Sequence, residues 1–554
     1  MADFDPIREL TRREALRRAG IGGAVLALPG LLAACGGSDS GSRASSNGGT
    51  PAGGSAEIDS VTWTLNSSPP TLDLATGFTL DALLAIITSL EGLVTLDDEM
   101  ALKPLLAESW TEDESLTRYV FTVRDGVTFW DGSPLTVEDV AYSLTRHMDP
   151  DVGSQLAGDF AVVRSVDVSG ERELSIRLKQ PDPLFLFTLA LSFVTPKAYT
   201  QEQGKKLGTP GKEVRTIGTG PFQITGFDDA GVTLERREDY WGEKPKIRNA
   251  TLKIIDNPQT QQLAMQSEET EGIFDFQSVP GKDWEKIPNV RTEYAAGLWI
   301  VSLSFDLSME PWNDVHVRRA IAHATDRAGY VKAFTGGHAR VAKSLVPPEV
   351  WTGLADEAEV KAIYEQLPDY AFDIEAAKQE LAQSAYPDGF TAKLTYSADD
   401  QAAGRAFVNL SEALKPLGIE LELNEVPHAK WQATLYGHED MGLLYRSSGP
   451  GGSDPHTYLS AYLPSSAAVK NSGNTANFKD PDVDRLLDEQ AETGDKAERV
   501  KLLTEILTTA GEELPYLPLW WQDTAMAIND ALVMPGFNSL YYLQNWLAKV
   551  QAKA

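Results

Sequence analysis

Alternating and helical patterns of apolar residues share the chain after residue 56, and together they predict a mixed α/β protein. The run Val61–Leu65 alternates between apolar and polar residues, as a half-buried strand does. Two hairpins are predicted where strand-like runs flank a tight-turn dipeptide. The first joins Tyr119–Arg124 to Val127–Trp130 through Asp125-Gly126, and the second joins Ser165–Val168 to Glu173–Leu178 through Ser169-Gly170.

A different pattern starts near Gly297. Asn313 or Asp314 can cap a helix whose Val317, Ala320, Ile321 and Ala324 share one face. Further helices are predicted over residues 373–385, 402–414 and 482–510, with a strand at Ile419–Leu423. Because helices and strands alternate here, a second α/β lobe is expected.

The first 55 residues have the pattern of an export signal followed by a linker. Arginines precede the apolar run Ile21–Leu32, and Ala33-Ala34 precede Cys35, the only cysteine of the chain. This order predicts a lipoprotein signal peptide at 1–34, cleavage before Cys35 and lipid on its sulfur. Residues 35–55 are read as a flexible Gly/Ser tether, which argues against Cys35 being an ordinary thiol beside a core helix. Thr11–Arg17 resembles a twin-arginine signal, with Ala15 where an aromatic residue is preferred.

Composition narrows the classes of protein to consider. After the leader about five hundred residues remain, enough for two or three domains, and their stability must come from buried apolar side chains because no internal disulfide can form. No later run is long enough to be a membrane helix. The formal charge of −31 argues against nucleic acid or anionic lipid headgroups as partners.

Catalytic and metal-binding signatures are missing from the sequence. There is no Gly-x-Ser-x-Gly, His-Glu-x-x-His or Ser-x-x-Lys with Lys-Thr-Gly. Gly218–Phe222 lacks the Lys-Ser/Thr of a phosphate loop and is read as a turn entering a strand. His316 and His323 are two helical turns apart, too far to chelate one ion together. No enzyme activity, metal site or cofactor is therefore predicted.

Longer motifs along the chain resemble family 5 solute-binding proteins of ABC importers, the oligopeptide, dipeptide and nickel receptor group. They follow one another in the family's order and cover nearly all of the chain after the tether. The matching segments are Leu106–Trp110, Phe121–Gly132, Leu135–Val140, Gly218–Phe222, Tyr240–Pro245, Pro311–Ile321, Asp326-Arg327, Tyr386–Phe390, Leu417–Ile419 and Asp454-Pro455.

The resemblance implies a two-lobed α/β fold of the type II periplasmic-binding-protein kind, with an additional subdomain in the first lobe. The first lobe is expected at 56–95, 219–298 and 515–554, its subdomain at 96–218 and the second lobe at 299–514. The implied function is that of a lipid-anchored receptor outside the cytoplasmic membrane. It would take a peptide-like or other polar organic solute and deliver it to an ABC permease with its ATPase. The alternatives are an exported hydrolase or a sensory receptor on the same fold.

The ligand is expected between the lobes. In peptide-binding relatives an aspartate shortly before the Asp-Pro pairs with the peptide's α-ammonium, but no carboxylate lies between Asp440 and Asp454 here. A buried ammonium without a counter-ion is costly, so free-N-terminal peptides are disfavoured. Arg446 is predicted either to clamp a carboxylate, phosphate or sugar hydroxyl or to form a surface salt bridge. The predicted ligand-binding residues are Ala75, Thr76, Phe78, Trp299, Trp431, Tyr445, Arg446, Asp454, Trp520 and Trp521.

Overall fold

A computed structural model describes residues 53–554 apart from residues 212, 275–280, 439–440 and 450–451, and apart from the side chains of residues 281–282. The predicted leader, Cys35 and residues 36–52 of the tether lie outside the described residues. Strands and helices are interspersed along the described chain, which confirms the expected mixed α/β class.

The strands are bounded as follows: Ile58–Leu65 (β1), Val94–Leu96 (β2), Leu102–Pro104 (β3), Ala107–Glu112 (β4), Arg118–Val123 (β5), Val163–Val168 (β6), Glu173–Leu178 (β7), Phe222–Asp228 (β8), Gly231–Arg236 (β9), Ile247–Ile254 (β10), Gly272–Phe274 (β11), Val290–Phe305 (β12), Ala339–Val341 (β13), Thr391–Ser397 (β14), Glu420–Val426 (β15), Leu443–Ser448 (β16), Tyr516–Asn529 (β17), Leu532–Val533 (β18) and Gln551–Ala552 (β19).

The α-helices are bounded as follows: Leu80–Ile86 (α1), Val137–Thr145 (α2), Phe185–Ala190 (α3), Lys197–Gln203 (α4), Pro258–Gln266 (α5), Gly281–Trp284 (α6), Val315–His323 (α7), Arg327–Phe334 (α8), Glu357–Gln366 (α9), Ile374–Gln383 (α10), Gln401–Leu414 (α11), His428–Leu435 (α12), His456–Tyr462 (α13), Pro481–Glu492 (α14), Lys496–Glu513 (α15) and Trp546–Lys549 (α16).

One large sheet organises the described chain. Its strand order is β15-β14-β16-β12-β17-β11-β1-β10-β9-β8, with β13 added beside β17. β12 and β17 are the longest strands and pair antiparallel along most of their length. At one end of this pair, the other edge of β12 pairs with β16. At the opposite end, the other edge of β17 pairs with β11. The two strands therefore connect the two halves of the sheet.

A separate four-stranded sheet, β4-β5-β7-β6, lies within the segment expected to form the subdomain. Its apolar face belongs to a hydrophobic cluster that also contains Leu298 and Ile300 of β12 and buried residues of α13, α14 and α15. Two other clusters cover the two halves of the large sheet, one around β14–β16, α7 and α11, the other around β1, β8–β10 and α1. The first cluster thus connects the small sheet to the second half of the chain.

Several predicted elements are confirmed. Asp314 caps α7 by accepting from the His316 amide at 2.9 Å, and α10, α11 and β15 lie within a few residues of their predicted bounds. β6 and β7 form the hairpin expected around Ser169-Gly170. Residues 218–221 form a turn that enters β8, in which Gly218 and Gly220 pack against the Ser89 carbonyl so closely that a side chain would clash.

Three predictions are wrong in detail. Val127–Trp130 does not return along Tyr119–Arg124, because β4 and β7 already occupy both edges of β5. The helix expected over 482–510 is two helices, since the chain leaves the first at Thr493 and Asp495 caps the second. β1 is not half-buried, because Trp63, Thr64 and Leu65 are all buried and so both of its faces are covered there.

Candidate functional site

Trp299 lies where the pairing between β12 and β17 is interrupted. The register shifts between Ala295 and Trp299, so residues 296–298 bulge out of the ladder. Gly297 is needed there, since a Cβ would stand 1.4 Å from the Gln522 carbonyl oxygen. Trp299 is 51% exposed and its indole Nε1 donates to the Ser447 hydroxyl. The bulge therefore presents a tryptophan side chain to solvent.

The backbone of this bulge is held by side chains from several elements. Arg340 of β13 donates to the Gly297 carbonyl at 3.0 Å, and Asp523 of β17 accepts from the Gly297 amide at 3.3 Å. The hydroxyl of Tyr458 on α13 donates to the Leu298 carbonyl. Because each neighbour is itself part of a helix or strand, the position of Trp299 is well defined.

Two glycines after β16, Gly449 and Gly452, each lie against an aromatic ring. Gly449 faces Trp299 so closely that a Cβ would be 2.3 Å from the indole ring. Gly452 faces Phe187 of α3, and a Cβ there would be 2.8 Å from that ring. Since Phe187 belongs to the segment expected to be the subdomain, Gly449 and Gly452 contact the two parts of the chain.

Asp454 ends the segment after β16 and is fully engaged within the protein. Its carboxylate is 6% exposed and accepts two hydrogen bonds from Arg499 of α15, at 2.8 and 2.7 Å. It also accepts from the His456 amide at 2.8 Å. A bidentate pair of this kind is strong and directional, so Asp454 fixes the end of the segment and presents no free oxygen to a ligand.

Arg446 lies in the interior. It is 3% exposed, and its Nη1 donates to the Gly473 carbonyl and to the Thr475 hydroxyl, at 3.0 Å for the latter. Its guanidinium lies 3.7 Å from the ring centroid of Tyr462. Arg446 forms no ion pair with any of the described residues, so the prediction of a surface salt bridge is wrong. As a ligand clamp, Arg446 would need to be freed from these partners.

Tyr445 and Trp431 lie together on the opposite face of β16, because successive side chains of a strand point to opposite faces. The Tyr445 hydroxyl donates to Asp400 at 2.6 Å, and the Trp431 indole donates to the Tyr445 carbonyl at 2.9 Å. Both side chains belong to the hydrophobic cluster around β14–β16. Their environment is that of core residues.

Trp520 and Trp521 are also buried, on the two faces of β17. Trp520 belongs to the cluster around β14–β16, and Trp521 to the cluster that includes the small sheet. Arg340 lies over the Trp521 ring at 5.4 Å from its centroid. These two tryptophans are therefore buried, whereas the indole of Trp299 is exposed.

The segment 71–78 is hydrogen-bonded to residues of the predicted subdomain. Asp73 accepts two hydrogen bonds from Arg146, at 3.1 and 2.8 Å, and the Gln155 amide donates to the Ala75 carbonyl at 2.7 Å. Ala75 is buried, Thr76 is exposed, and Phe78 is 36% exposed. Of the candidates in this segment, Thr76 and Phe78 have side chains that solvent reaches.

The carboxyl group of Asp182 interacts electrostatically with those of Asp159 and Asp454. Burial raises the pKa of Asp182, which precedes α3, and the negative charges of Asp159 and Asp454 raise it further. An ordered carboxyl at this place disfavours additional negative charge from any bound group. The Asp182 carboxylate also accepts from the Leu184 amide at 2.8 Å, so its position is fixed.

A well-defined cavity lies elsewhere among the described residues. It measures about 420 Å³, and its walls include Leu90, Phe193 and Ala548. At its edge the buried Glu91 accepts from Thr219, Tyr240 and Trp241, at 2.8, 2.7 and 3.0 Å. Burial raises the pKa of Glu91. None of the predicted ligand-binding residues lines this cavity.

Metal coordination has no support in the described part of the chain. No group of three or more His, Cys, Asp or Glu side chains is placed there to hold an ion. His316 instead pairs with Glu380 at 2.7 Å. Within the same residues, no helix has the length and apolar character that crossing a bilayer requires.

Sequence reasoning did not single out Phe187, Ser447 or Arg340, although each helps to shape the surroundings of Trp299. The closely spaced glycines at 449, 451 and 452 were the available signal, because glycine marks places where backbone approaches a neighbour closely. Which neighbour it approaches is decided by tertiary contacts.

Comparison with known protein families gives one extended match. The family described as "Bacterial extracellular solute-binding proteins, family 5 Middle" matches residues 101–470. Among curated proteins, heme-binding protein A of Haemophilus influenzae is 25% identical over 448 residues, which cover 76% of this chain and 78% of that protein. Glutathione-binding protein GsiB of Salmonella typhi is 24% identical over 438 residues, covering 77% and 82%.

Solved structures resemble the whole described fold. The ABC transporter substrate binding protein CtaP of Listeria monocytogenes superposes with a TM-score of 0.78 at 21% identity, covering 90% of this chain and 100% of its own. The periplasmic binding protein DppA of Helicobacter pylori, in complex with the peptide STSA, superposes with a TM-score of 0.72 at 21% identity, covering 90% and 99%. At these identities the likeness establishes the fold.

Proposed function

Because this chain belongs to family 5 of the bacterial extracellular solute-binding proteins, we propose that it is the extracytoplasmic receptor of an ABC importer. It captures a peptide-like or other polar organic solute between two lobes and delivers it to the permease. Its fold is the two-lobed α/β fold that the sequence motifs implied. The relatives are solute-binding proteins, and the receptor proposed here performs no chemistry on its solute.

The interruption of the β12–β17 ladder at residues 296–298 is the observation that carries this proposal. It coincides with the expected boundary between the lobes at 298/299, and it lies in the strand pair that connects the two halves of the large sheet. A local loss of pairing provides a place where backbone dihedrals can change while both halves keep their cores.

Closure needs a ligand that contacts both lobes, since a ligand shifts an equilibrium only through its different affinity for the two states. Gly449 and Gly452 suit this role because Gly449 lies beside Trp299 and Gly452 lies against Phe187. Solute bound next to these glycines would contact the second lobe and the predicted subdomain together. The open and closed forms would then differ in the exposure of Trp299.

The proposal is tested with purified protein and a panel of peptides, sugars, opines and nickel and heme complexes. We expect at least one solute to raise the melting temperature, to reduce the radius of gyration in solution scattering, and to be recovered chemically unchanged. Turnover of any bound solute would contradict the proposal and would favour a hydrolase. Import is tested by deleting the gene and measuring uptake of the bound solute, and unchanged uptake would favour a sensory receptor.

Anchoring through Cys35 is a further part of the proposal. The first described residues support it indirectly, because Gly54 donates to the Ala552 carbonyl at 2.6 Å and thereby fixes where the tether joins the folded chain. The tether would hold the receptor near the permease and raise its local concentration. Mass spectrometry of the mature N-terminus should find acylated Cys35 in membranes, and Cys35→Ser should release the protein. Replacing Arg12-Arg13 by lysines tests the twin-arginine route.

A further inference from the structure

The cavity of about 420 Å³ lies where the expected first lobe meets the predicted subdomain. Leu90, Pro221 and Ala548 contribute to its wall from the first lobe, and Leu105 and Phe193 contribute from the subdomain. Cavities that bind small molecules have volumes of this order and combine apolar walls with a few polar groups. This cavity therefore has the size and the composition of a ligand site.

Glu91 contributes a buried carboxylate to this cavity. It is 4% exposed and accepts from three neutral groups, from the Tyr240 hydroxyl at Oε1 and from Thr219 and Trp241 at Oε2. Tyr240 lines the cavity together with Glu91, whereas Thr219 and Trp241 do not. Oε1 is therefore the oxygen on the cavity side. It can accept from a further donor, because each carboxylate oxygen has two lone pairs.

The negative charge of Glu91 has no ion-pair partner among the described residues. Burial raises the pKa of Glu91, and the positive charge of Arg237 opposes this effect. The Arg237 guanidinium, however, donates to Asp239 and to the carbonyls of Thr128 and Thr219. A buried carboxylate without a cationic partner is costly to the folded protein. A ligand cation in the cavity would offset part of this cost.

The other charged side chains of the cavity wall are exposed or half-buried, and they are Asp98, Glu243, Lys244, Lys246 and Lys549. Lys244 is paired with Glu238 at 2.9 Å, and Lys549 is paired with Asp98. The third lysine and Glu243 carry opposite charges. Water and salt screen exposed charges much more than buried ones. Glu91 thus determines which charge a ligand in this cavity should carry.

We propose that this cavity binds an organic ammonium ion with an apolar body, whose N–H group donates to Oε1 of Glu91 while its body packs against Phe193 and Ala548. The site lies apart from the predicted ligand-binding residues and is independent of the receptor function proposed above. Because its walls come from both the expected first lobe and the predicted subdomain, a bound ammonium ion would stabilise the contact between them.

Three small molecules that share a phenyl ring and differ in charge test the proposal: the cation phenethylamine, the neutral phenethyl alcohol and the anion hydrocinnamate. Calorimetry measures their binding to the purified protein. Phenethylamine is expected to bind more than about tenfold more tightly than the other two, equivalent to about 1.4 kcal/mol. Equal affinities, or no binding of phenethylamine, would overturn the proposal. Neither result would affect the receptor function, which depends on closure around a solute between the lobes.

Ala548→Phe fills part of the cavity and leaves the hydrogen bonds of Glu91 in place. It should weaken phenethylamine binding more than about tenfold. Ala402→Phe is the matched control, because Ala402 is also a half-buried alanine of a helix and does not line the cavity. This control should leave the affinity unchanged. Phenethylamine binding that is equally strong in Ala548→Phe would overturn the assignment to this cavity.

Glu91→Gln keeps the size of the side chain and removes its charge. It should abolish the preference for phenethylamine over phenethyl alcohol, and a retained preference would overturn the role of Glu91. The melting temperature of the ligand-free variant shows whether it folds, because the new amide meets three hydrogen-bond donors. If Glu91→Gln does not fold, the comparison of Ala548→Phe with Ala402→Phe decides the proposal.

Discussion

At the scale of single residues, Arg446 shows how a protein interior can hold a positive charge without a carboxylate. Its guanidinium lies between the ring of Tyr462 and the oxygens of Gly473 and Thr475. Carbonyl and hydroxyl oxygens offset part of the desolvation cost, and the aromatic face contributes a further favourable electrostatic interaction. Arg446 is therefore expected to stabilise the second lobe and not to discriminate between solutes.

Arg446→Ala should lower the free energy of unfolding by roughly 3 kcal/mol, because it leaves a cavity and strips partners from Gly473 and Thr475. Arg446→Met fills most of the volume and should lose less. Urea denaturation of both variants measures the difference. If Arg446→Ala kept full stability and lost solute affinity, the ligand-clamp interpretation of the sequence would be restored.

The Asp454–Arg499 pair makes a second prediction at this scale. Removing one partner leaves the other charge buried, so Asp454→Ala should cost roughly 3–5 kcal/mol of stability. The double variant Asp454→Ala/Arg499→Leu should cost less than the sum of the two single variants. Chemical denaturation of the complete double-mutant cycle measures the coupling. Additive single effects would show that the two side chains do not interact.

At the scale of secondary-structure elements, the long strand β12 depends on one residue without a side chain. Gly297 allows the bulge at 296–298 to approach β17, and Arg340, Asp523 and Tyr458 then hold the bulge from three directions. The bulge positions Trp299 just before β12 resumes pairing with both β17 and β16. A change in this backbone should therefore alter both stability and the exposure of Trp299.

Gly297→Ala should destabilise the protein by at least about 2 kcal/mol, since a methyl group would overlap the Gln522 backbone and force β12 and β17 apart. Gly158→Ala is the matched control, because a Cβ there meets nothing within 4 Å. That control should be neutral or stabilising by up to about 1 kcal/mol. Equal melting temperatures for the two variants would contradict the close approach.

Predictions of single elements were correct where they depended on neighbouring residues in the sequence. They were wrong where strand pairing depended on residues distant in the sequence. Asp314 caps α7 because capping needs only a carboxylate near the first free amides. Asp125-Gly126 has the expected turn chemistry, and Gly126 adopts the left-handed conformation with φ of 73°. The expected hairpin still does not form, because β4 and β7 take both edges of β5.

At the scale of the whole molecule, the buried His147 and the half-buried His456 make stability depend on pH. Burial lowers the pKa of His147 to about 4, with a further contribution from Arg146, and burial lowers the pKa of His456 to about 4. In the unfolded chain both rings take up a proton below the ordinary value of 6.5. Stability that is present above pH 6.5 is therefore lost as the pH falls towards about 4, by up to roughly 3 kcal/mol for each histidine.

His147→Gln and His456→Gln should each reduce the slope of unfolding free energy against pH between 6.5 and 4, and the double variant should reduce it further. Denaturation at half-unit pH steps measures these slopes. His428→Gln, which changes a histidine at an exposed position, provides the comparison variant. An unchanged slope in the double variant would show that these histidines take up their protons in the folded protein.

The sequence by itself determined the α/β class, the approximate bounds of α7, α10 and α11, and the family, because these depend on periodicity, caps and ordered motifs that act over short stretches. It also located the segment before Asp454 as unlike that of peptide-binding relatives. Only the tertiary structure decided which candidate side chains meet solvent. Trp299 is exposed by a bulge, whereas Trp431, Tyr445, Trp520 and Trp521 are enclosed by packing. Arg446 and Asp454 are engaged by partners 27 to 45 residues away in sequence, and such long-range contacts leave no local pattern in the chain.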